Sequence, residues 1–232
     1  MIRIRAITCV LAVGFLSGLA ALAEQDMPVN ADFSMNPIRL PPPDASGSVT
    51  LERALSMRRS VREYRSGPLT PTQVSQLLWA AQGITSPEGF RTAPSAGALF
   101  PLEVYLVAGE VQGVPAGIYR YEPRTHTLSV VSRTDKRRSL ADAALGQEYV
   151  RESPVVLVLV AVQDRTTGKY GKRGIRYVHI EAGHAAQNVL LEAVALGLGA
   201  VPAGAFDDSA VKQVLHTDDS EEPLYLIAVG HI

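Results

Sequence analysis

With a single cysteine in 232 residues, the sequence has no disulfide framework and no cysteine-based zinc or iron–sulfur centre. It also lacks an excess of positive charge. Lys+Arg total 22 against 23 Asp+Glu, a formal net charge of -1, which leaves no basic surplus to follow a nucleic-acid backbone. There is no Gly-x-Ser-x-Gly elbow and no Gly-Lys-Ser/Thr phosphate loop, so neither a hydrolase of that design nor a P-loop enzyme is supported. Low complexity and internal repeats are absent from residue 49 onward. Apolar sequence is plentiful: 47% hydrophobic against 19% charged residues predicts a packed core, at a length that suits one domain.

The first residues read as an address. Arg3 and Arg5 precede an apolar stretch from Ala6 to about Ala20, followed by Ala21-Leu22-Ala23 and the polar Glu24-Gln25-Asp26. A basic start, a short apolar middle and small residues at a cleavage point describe a secretory signal peptide over 1–23. The alternative, an uncleaved membrane anchor, is weakened because Thr8, Gly14, Ser17 and Gly18 interrupt an already short run. Cys9 would leave with the peptide, and a thiol-free chain suits an oxidising compartment. The expectation is an exported protein, periplasmic or secreted. Residues 24–48, with Pro37 and Pro41-Pro42-Pro43, read as a tether, and 49–232 as the working domain.

Within that domain helices and strands alternate without a regular βαβ repeat. Leu51 to Met57 reads as a short helix, and Thr70-Pro71 caps another that runs to about Gln82. Strands are predicted over 102–108, 117–122 and 127–132, with a helix from Asp135 to Ala144. Pro154 to Val162 is almost all Val and Leu, the mark of a strand covered on both faces. Tyr177 to Leu198 is a long Ala- and Leu-rich helix. Asp207 caps a helix to about Leu215, and Leu224 to Val229 is a last buried strand.

Two apparent motifs fail on spacing. Gly197-Leu-Gly199-Ala-Val-Pro202 lacks the third glycine of a dinucleotide loop and follows a helix, so its glycines read as helix stops. His179 and His184 lie about 140° apart around a helix and cannot share a metal as an i,i+4 pair would.

Three segments remain. Arg58-Arg59-Ser60-Val61-Arg62-Glu63-Tyr64 packs three cations and a hydroxyl beside a helix end, with Arg58 and Arg62 on one face if helical geometry continues. Paired guanidinium N–H groups bind phosphate, and Ser adds a neutral donor; a solvated basic surface is the alternative. Thr92-Ala-Pro94-Ser95-Ala96-Gly97-Ala98-Leu99-Phe100-Pro101 is a small-residue loop that lets backbone approach a flat ligand, or else a tight turn. Ala200-Val201-Pro202-Ala203-Gly204-Ala205-Phe206 is a second backbone-exposing connection.

In order, and together with Gly-His-Ala-Ala-Gln-Asn at 183–188, these segments resemble the nitroreductase-type flavoproteins, most closely their SagB-type azoline dehydrogenase branch. The resemblance covers about 49–231 and implies an α+β sandwich. A central, mostly antiparallel sheet would be flanked by helices, in an interlocked homodimer with FMN at the interface. Arg58, Arg59, Ser60 and Arg62 would take the phosphate, ribityl chain and ring edge. Pro94, Ser95 and Ala96 would reach the flavin from the partner subunit. Pro202, Ala203, Gly204 and Ala205 would lie along the ring, and Lys169-Tyr170 would be the acid–base pair, in a loop placed as a lid. A basic loop without that role is the alternative. Tyr177 and Glu181 are placed facing the pocket. Relatives carry a basic tail after the last strand; here Gly230-His231-Ile232 leaves the load to Arg58 and Arg62, or to His231 as helper.

The branch implies hydride transfer between flavin and a small organic or peptide-derived substrate. Export adds that nicotinamide is not at hand, so electrons would pass from substrate to oxygen or a respiratory acceptor. An NAD(P)H-dependent nitro or quinone reductase and a non-catalytic flavin- or ligand-binding module are the competing classes.

Overall fold

The computed structural model describes residues 36–232. The signal-peptide segment 1–23 and tether residues 24–35 lie outside the described residues. Seven strands form one sheet: β1 (Ile38–Arg39), β2 (Leu102–Ala108), β3 (Gly117–Glu122), β4 (Thr127–Ser132), β5 (Val155–Val162), β6 (Leu198–Ala203) and β7 (Glu221–His231). They lie in the order β1-β4-β3-β2-β5-β7-β6, and every neighbouring pair is antiparallel. The helices are α1 (Leu51–Met57), α2 (Pro71–Gln82), α3 (Arg137–Ala143), α4 (Glu148–Glu152), α5 (Asp164–Tyr170), α6 (Arg173–Ala195) and α7 (Asp208–Leu215).

β5 is apolar at nearly every position because both its faces are covered. Val155, Leu157, Leu159 and Ala161 join the core formed with α2 and α6, while Val156, Val158 and Val160 join that formed with α3, α4 and α7. α2 starts where the sequence demands it. Thr70 accepts from the Gln73 backbone N–H, the Gln73 side chain returns the bond, and Pro71 occupies a position whose N–H would be idle. α6, about 35 Å long at 1.5 Å per residue, buries Val178, Ala182, Ala185, Ala186, Val189, Leu190 and Ala193 along one stripe. The expected α+β sandwich with an antiparallel sheet and one long core helix is the fold observed.

Several boundaries differ. Ile38 and Arg39 pair with Leu128 and Thr127, and the Pro41 carbonyl accepts from the Ser75 hydroxyl at 2.6 Å. The expected tether is therefore fastened to the sheet from residue 38, since prolines lacking N–H still offer carbonyls. Lys169-Tyr170 closes α5 rather than standing in a loop. Gly171 turns the chain at φ 55°, and Gly174, whose Cβ would stand 2.9 Å from the Thr167 backbone, lets α5 lie against α6. α6 accordingly starts at Arg173, not Tyr177, and ends at Ala195. Only Gly197 (φ 69°) acts as a helix stop; Gly199 and 200–203 belong to β6, an edge strand that tolerates Pro202. α1 ends at Met57, so Arg58 to Arg62 are not helical: Ser60 bridges to Ala200 instead.

Candidate functional site

The cation segment lies along the sheet edge. Val61 N–H donates to the Ala200 carbonyl at 3.1 Å, running residues 58–62 beside β6. The approach needs Gly199, where a Cβ would come within 2.7 Å of Val61 Cγ1 and 2.4 Å of Ile232 Cγ2. The Arg59 guanidinium donates to the Ser56 and Arg58 carbonyls at 3.1 and 2.8 Å, so it caps α1 rather than facing a ligand. Arg62 lies 5.7 Å from the centroid of the Tyr149 ring. Among the described residues no carboxylate pairs with Arg58, Arg59 or Arg62. His231 holds Arg65 N–H through its backbone carbonyl (2.9 Å), and its ring nitrogen sits 3.2 Å from the Pro68 carbonyl.

The loop after Thr92 is folded on itself. Gly97, Ala98 and Phe100 have φ of 65°, 54° and 46°, unfavourable for the two that carry a Cβ. It is held from several sides. Ser95 Oγ accepts from Phe100 N–H at 2.9 Å, Arg165 donates to the Phe100 carbonyl at 3.1 Å and pairs with Glu103, and Arg91 lies 4.4 Å over the Phe100 ring.

α5 delivers its last residues to this loop. At the position a Cβ on Gly97 would occupy, Tyr170 Oη is 2.8 Å away and Lys169 Nζ 3.0 Å. Tyr170 stands edge-on to Tyr177 of α6, with ring centroids 5.2 Å apart, and Arg173 lies 5.8 Å over the Tyr177 ring. The predicted acid–base pair and the predicted loop thus meet. Gly97→Ala is expected to cost about 1 kcal/mol in backbone strain and to displace both head groups. If the pair acts as the resemblance implies, turnover should fall at least tenfold, and an unaltered rate would show that their position at Gly97 is unimportant.

Behind the loop, Pro94, Ser95, Ala96, Tyr177, Ile180, Glu181 and His184 line a cavity of about 260 Å³. Glu181 is only 2% exposed, and among the described residues its Oε1 has no hydrogen-bond partner. Burial pushes its carboxyl up to about 7, against the pull of the Ser95 hydroxyl and the Arg91 charge. Sequence reasoning placed Glu181 at the pocket without a role. The available signal was an acid in a stretch of α6 that is otherwise mostly small and apolar.

The third segment lies elsewhere. Pro202 and Ala203 end β6, and Gly204 lines a groove with His179, Ala182, Gly183, Phe206 and Tyr225. At 100° per residue, these α6 residues point about 160° from those lining the Glu181 cavity. Within one chain, Arg58–Arg62 and Pro202–Ala205 share the β6 side of α6, whereas Pro94–Ala96 lie across it. His179 and His184 face different cavities.

Residues 55–231 match the nitroreductase family, and the chain belongs to that family. It is therefore an oxidoreductase, and membership points to a flavin cofactor. Over 182 residues it is 47% identical to a nitroreductase-family protein of Methanocaldococcus jannaschii, covering 78% of this chain and 91% of the other. A solved nitroreductase-family structure from Ralstonia eutropha superposes with a TM-score of 0.74 at 34% identity, covering 84% and 89% of the two chains. A chain of the Escherichia coli microcin synthetase McbBCD complex with truncated pro-MccB17 bound gives 0.65 at 25% identity, over 97% and 84%.

Proposed function

We propose that this chain is an exported, FMN-dependent dehydrogenase, active as a homodimer, that withdraws two electrons from a small organic or peptide-derived substrate. The observation carrying this reading is the meeting of Lys169 Nζ and Tyr170 Oη at Gly97. The residues present fit FMN. Among the described residues Arg58 and Arg62 have no carboxylate partner, and they can offer paired N–H groups to a phosphate. Gly183 has no atom within 4 Å of a would-be Cβ and Gly204 only Tyr225 at 3.7 Å, leaving room for a flat ring. When bound, FMN supplies a two-electron acceptor whose reduction places negative charge at the ring edge.

Arg58, Ser60 and Arg62 would hold the phosphate and that edge, with Arg59 ordering the segment by capping α1. Backbone from Pro202 to Ala205 would line the ring, and Pro94, Ser95 and Ala96 would reach it from the partner subunit. Two observations support the two-chain site. The segments flank α6 on opposite sides, and Leu51, Leu55, Met57, Ile175 and Ile180 leave exposed apolar surface on α1 and α6. Oxidising a C–H or N–H bond also releases a proton, which Lys169 and Tyr170 receive. NAD(P)H-dependent nitro or quinone reduction is the second reading, favoured by the likeness to the M. jannaschii protein.

An absorbance spectrum of protein from the exported fraction, with identification of the released chromophore, tests the proposal. About one FMN per chain is expected. Colourless protein that takes up no added FMN would favour the non-catalytic binding module, and rapid bleaching by NADH would favour the reductase. Arg58→Ala is expected to weaken FMN retention roughly 10- to 100-fold, the value of one charge-assisted hydrogen bond.

A further inference from the structure

Glu181 is the most unusual side chain in the described residues: a carboxyl almost wholly out of solvent, lining a cavity, with one oxygen bonded to nothing. An unsatisfied polar atom at that depth is costly unless something fills the space. The stretch of chain that leads into the cavity wall at Tyr177 and Ile180 has the opposite character. From 165 to 180 there are five cations and no Asp or Glu. Arg165 is paired with Glu103, but among the described residues Lys169, Lys172, Arg173 and Arg176 have no carboxylate partner. Two of these stand beside residues next to or in the cavity wall: Lys169 Nζ lies at Gly97, one residue beyond Ala96, and Arg173 lies over the ring of Tyr177.

We propose that this cavity receives the carboxylate of an anionic substrate, and that Glu181 acts as a neutral acid, donating its proton from Oε1 to the incoming oxygen. The inference rests on the dehydrogenase reading and adds a substrate class to it. Two carboxyl groups in so small a space cannot both be ionised, so they share one proton, and the short bond between them is charge-assisted. The resulting single negative charge is balanced by Arg173, which leaves Lys169 to the proton transfer. Beyond this shared proton no bond is made or broken; above about pH 7, where the free carboxyl has lost its proton, one proton is taken up from solvent when the anion binds.

The groups facing Glu181 are consistent with this. Ser95 and Arg91, from the loop and the segment before it, lower its affinity for the proton, but burial outweighs them. Tyr177 and His184 of its own helix line the same cavity. Lys169 and Tyr170 of α5 stand two residues along the loop, at Gly97.

Titration calorimetry of the purified protein, with whatever cofactor it carries, tests the inference with three probes differing in charge: phenylacetate, phenylacetamide and phenethylamine. Repeating each titration in buffers of different ionisation enthalpy counts protons. Phenylacetate should bind with constant affinity below about pH 7, where Glu181 is protonated. Above that its affinity should fall about tenfold per pH unit, with uptake approaching one proton per site at pH 8.5. Glu181→Gln, an isosteric change whose amide donates at every pH, should bind phenylacetate without that slope and without uptake. Glu181→Leu should bind it weakly throughout.

Uptake that persists in Glu181→Gln, equal binding of phenylacetamide, tightest binding of phenethylamine, or no binding of any probe would each overturn the inference. The underlying reading fails separately. Colourless protein that still takes up a proton with phenylacetate overturns the flavin assignment alone, and FMN-loaded protein without uptake overturns this inference alone.

Discussion

Lys169→Ala is expected to lower the rate at which substrate bleaches the bound flavin by 10²- to 10⁴-fold, the usual contribution of a positioned proton-transfer group. Flavin content should not change, because the cations beside β6 are untouched. Oxidation of an organic donor by two electrons leaves a proton behind, and a base must stand where it leaves. Nζ and Oη converge at Gly97, where even a methyl group would collide with them. Tyr170→Phe should show a comparable loss with Tyr177 still in ring contact, which separates the hydroxyl from the packing of the ring. Stopped-flow bleaching by a donor found active on the wild-type protein gives the readout. If Lys169→Ala and Tyr170→Phe both retained the full rate, α5 would be a wall of the pocket and the proton would go elsewhere.

What the sequence disclosed depended on whether local pattern and tertiary environment agreed. β5 was legible because burial on both faces requires an unbroken apolar run, and α2 because its capping box and Pro71 are local chemistry. α5 was not. Thr166-Thr167-Gly168 and Gly171 disfavour a helix on their own, and the helix exists because Gly174 admits close contact between α5 and α6. β6, with Gly199 and Pro202, looks like a loop in isolation and becomes a strand by pairing with β7 at the sheet edge. Arg58 to Arg62 illustrate the same limit. Their composition pointed to an anion, but only the bridge between Ser60 and Ala200 places them beside the third segment. Glu181 could be placed at the pocket from its small, apolar neighbours on α6, but its degree of burial could not be read, since exposure follows from how the loop over Pro94 to Ala96 closes on α6.

Glu181 also governs the second large effect, on stability. Its carboxyl titrates near 7 in the folded chain and near an ordinary 4.5 when unfolded. Below pH 4.5 both states hold the proton and burial of the neutral acid adds no ionisation cost. Between 4.5 and about 7 the unfolded chain has released the proton while the folded chain keeps it, so stability falls as pH rises, and above 7 the whole cost remains. Each tenfold change in proton affinity between the two states is worth about 1.4 kcal/mol, which makes that cost about 3–4 kcal/mol. Glu181→Gln should therefore raise the melting temperature at pH 8 by roughly 6–15 °C and bring little gain at pH 4.5. His126 works in the opposite sense. Its ring is held by Ser75, Tyr121 and the Pro41 carbonyl, and burial lowers its affinity for a proton, so stability is lost as pH falls below its unfolded value of 6.5. Where the two windows overlap below pH 6.5 the slopes offset one another in the wild-type profile, and Glu181→Gln should leave only the rise in stability with pH that His126 contributes. Melting curves of the two proteins from pH 4.5 to 8 decide the matter: parallel profiles would mean that Glu181 is ionised in the folded state throughout, with its unpaired oxygen satisfied by water.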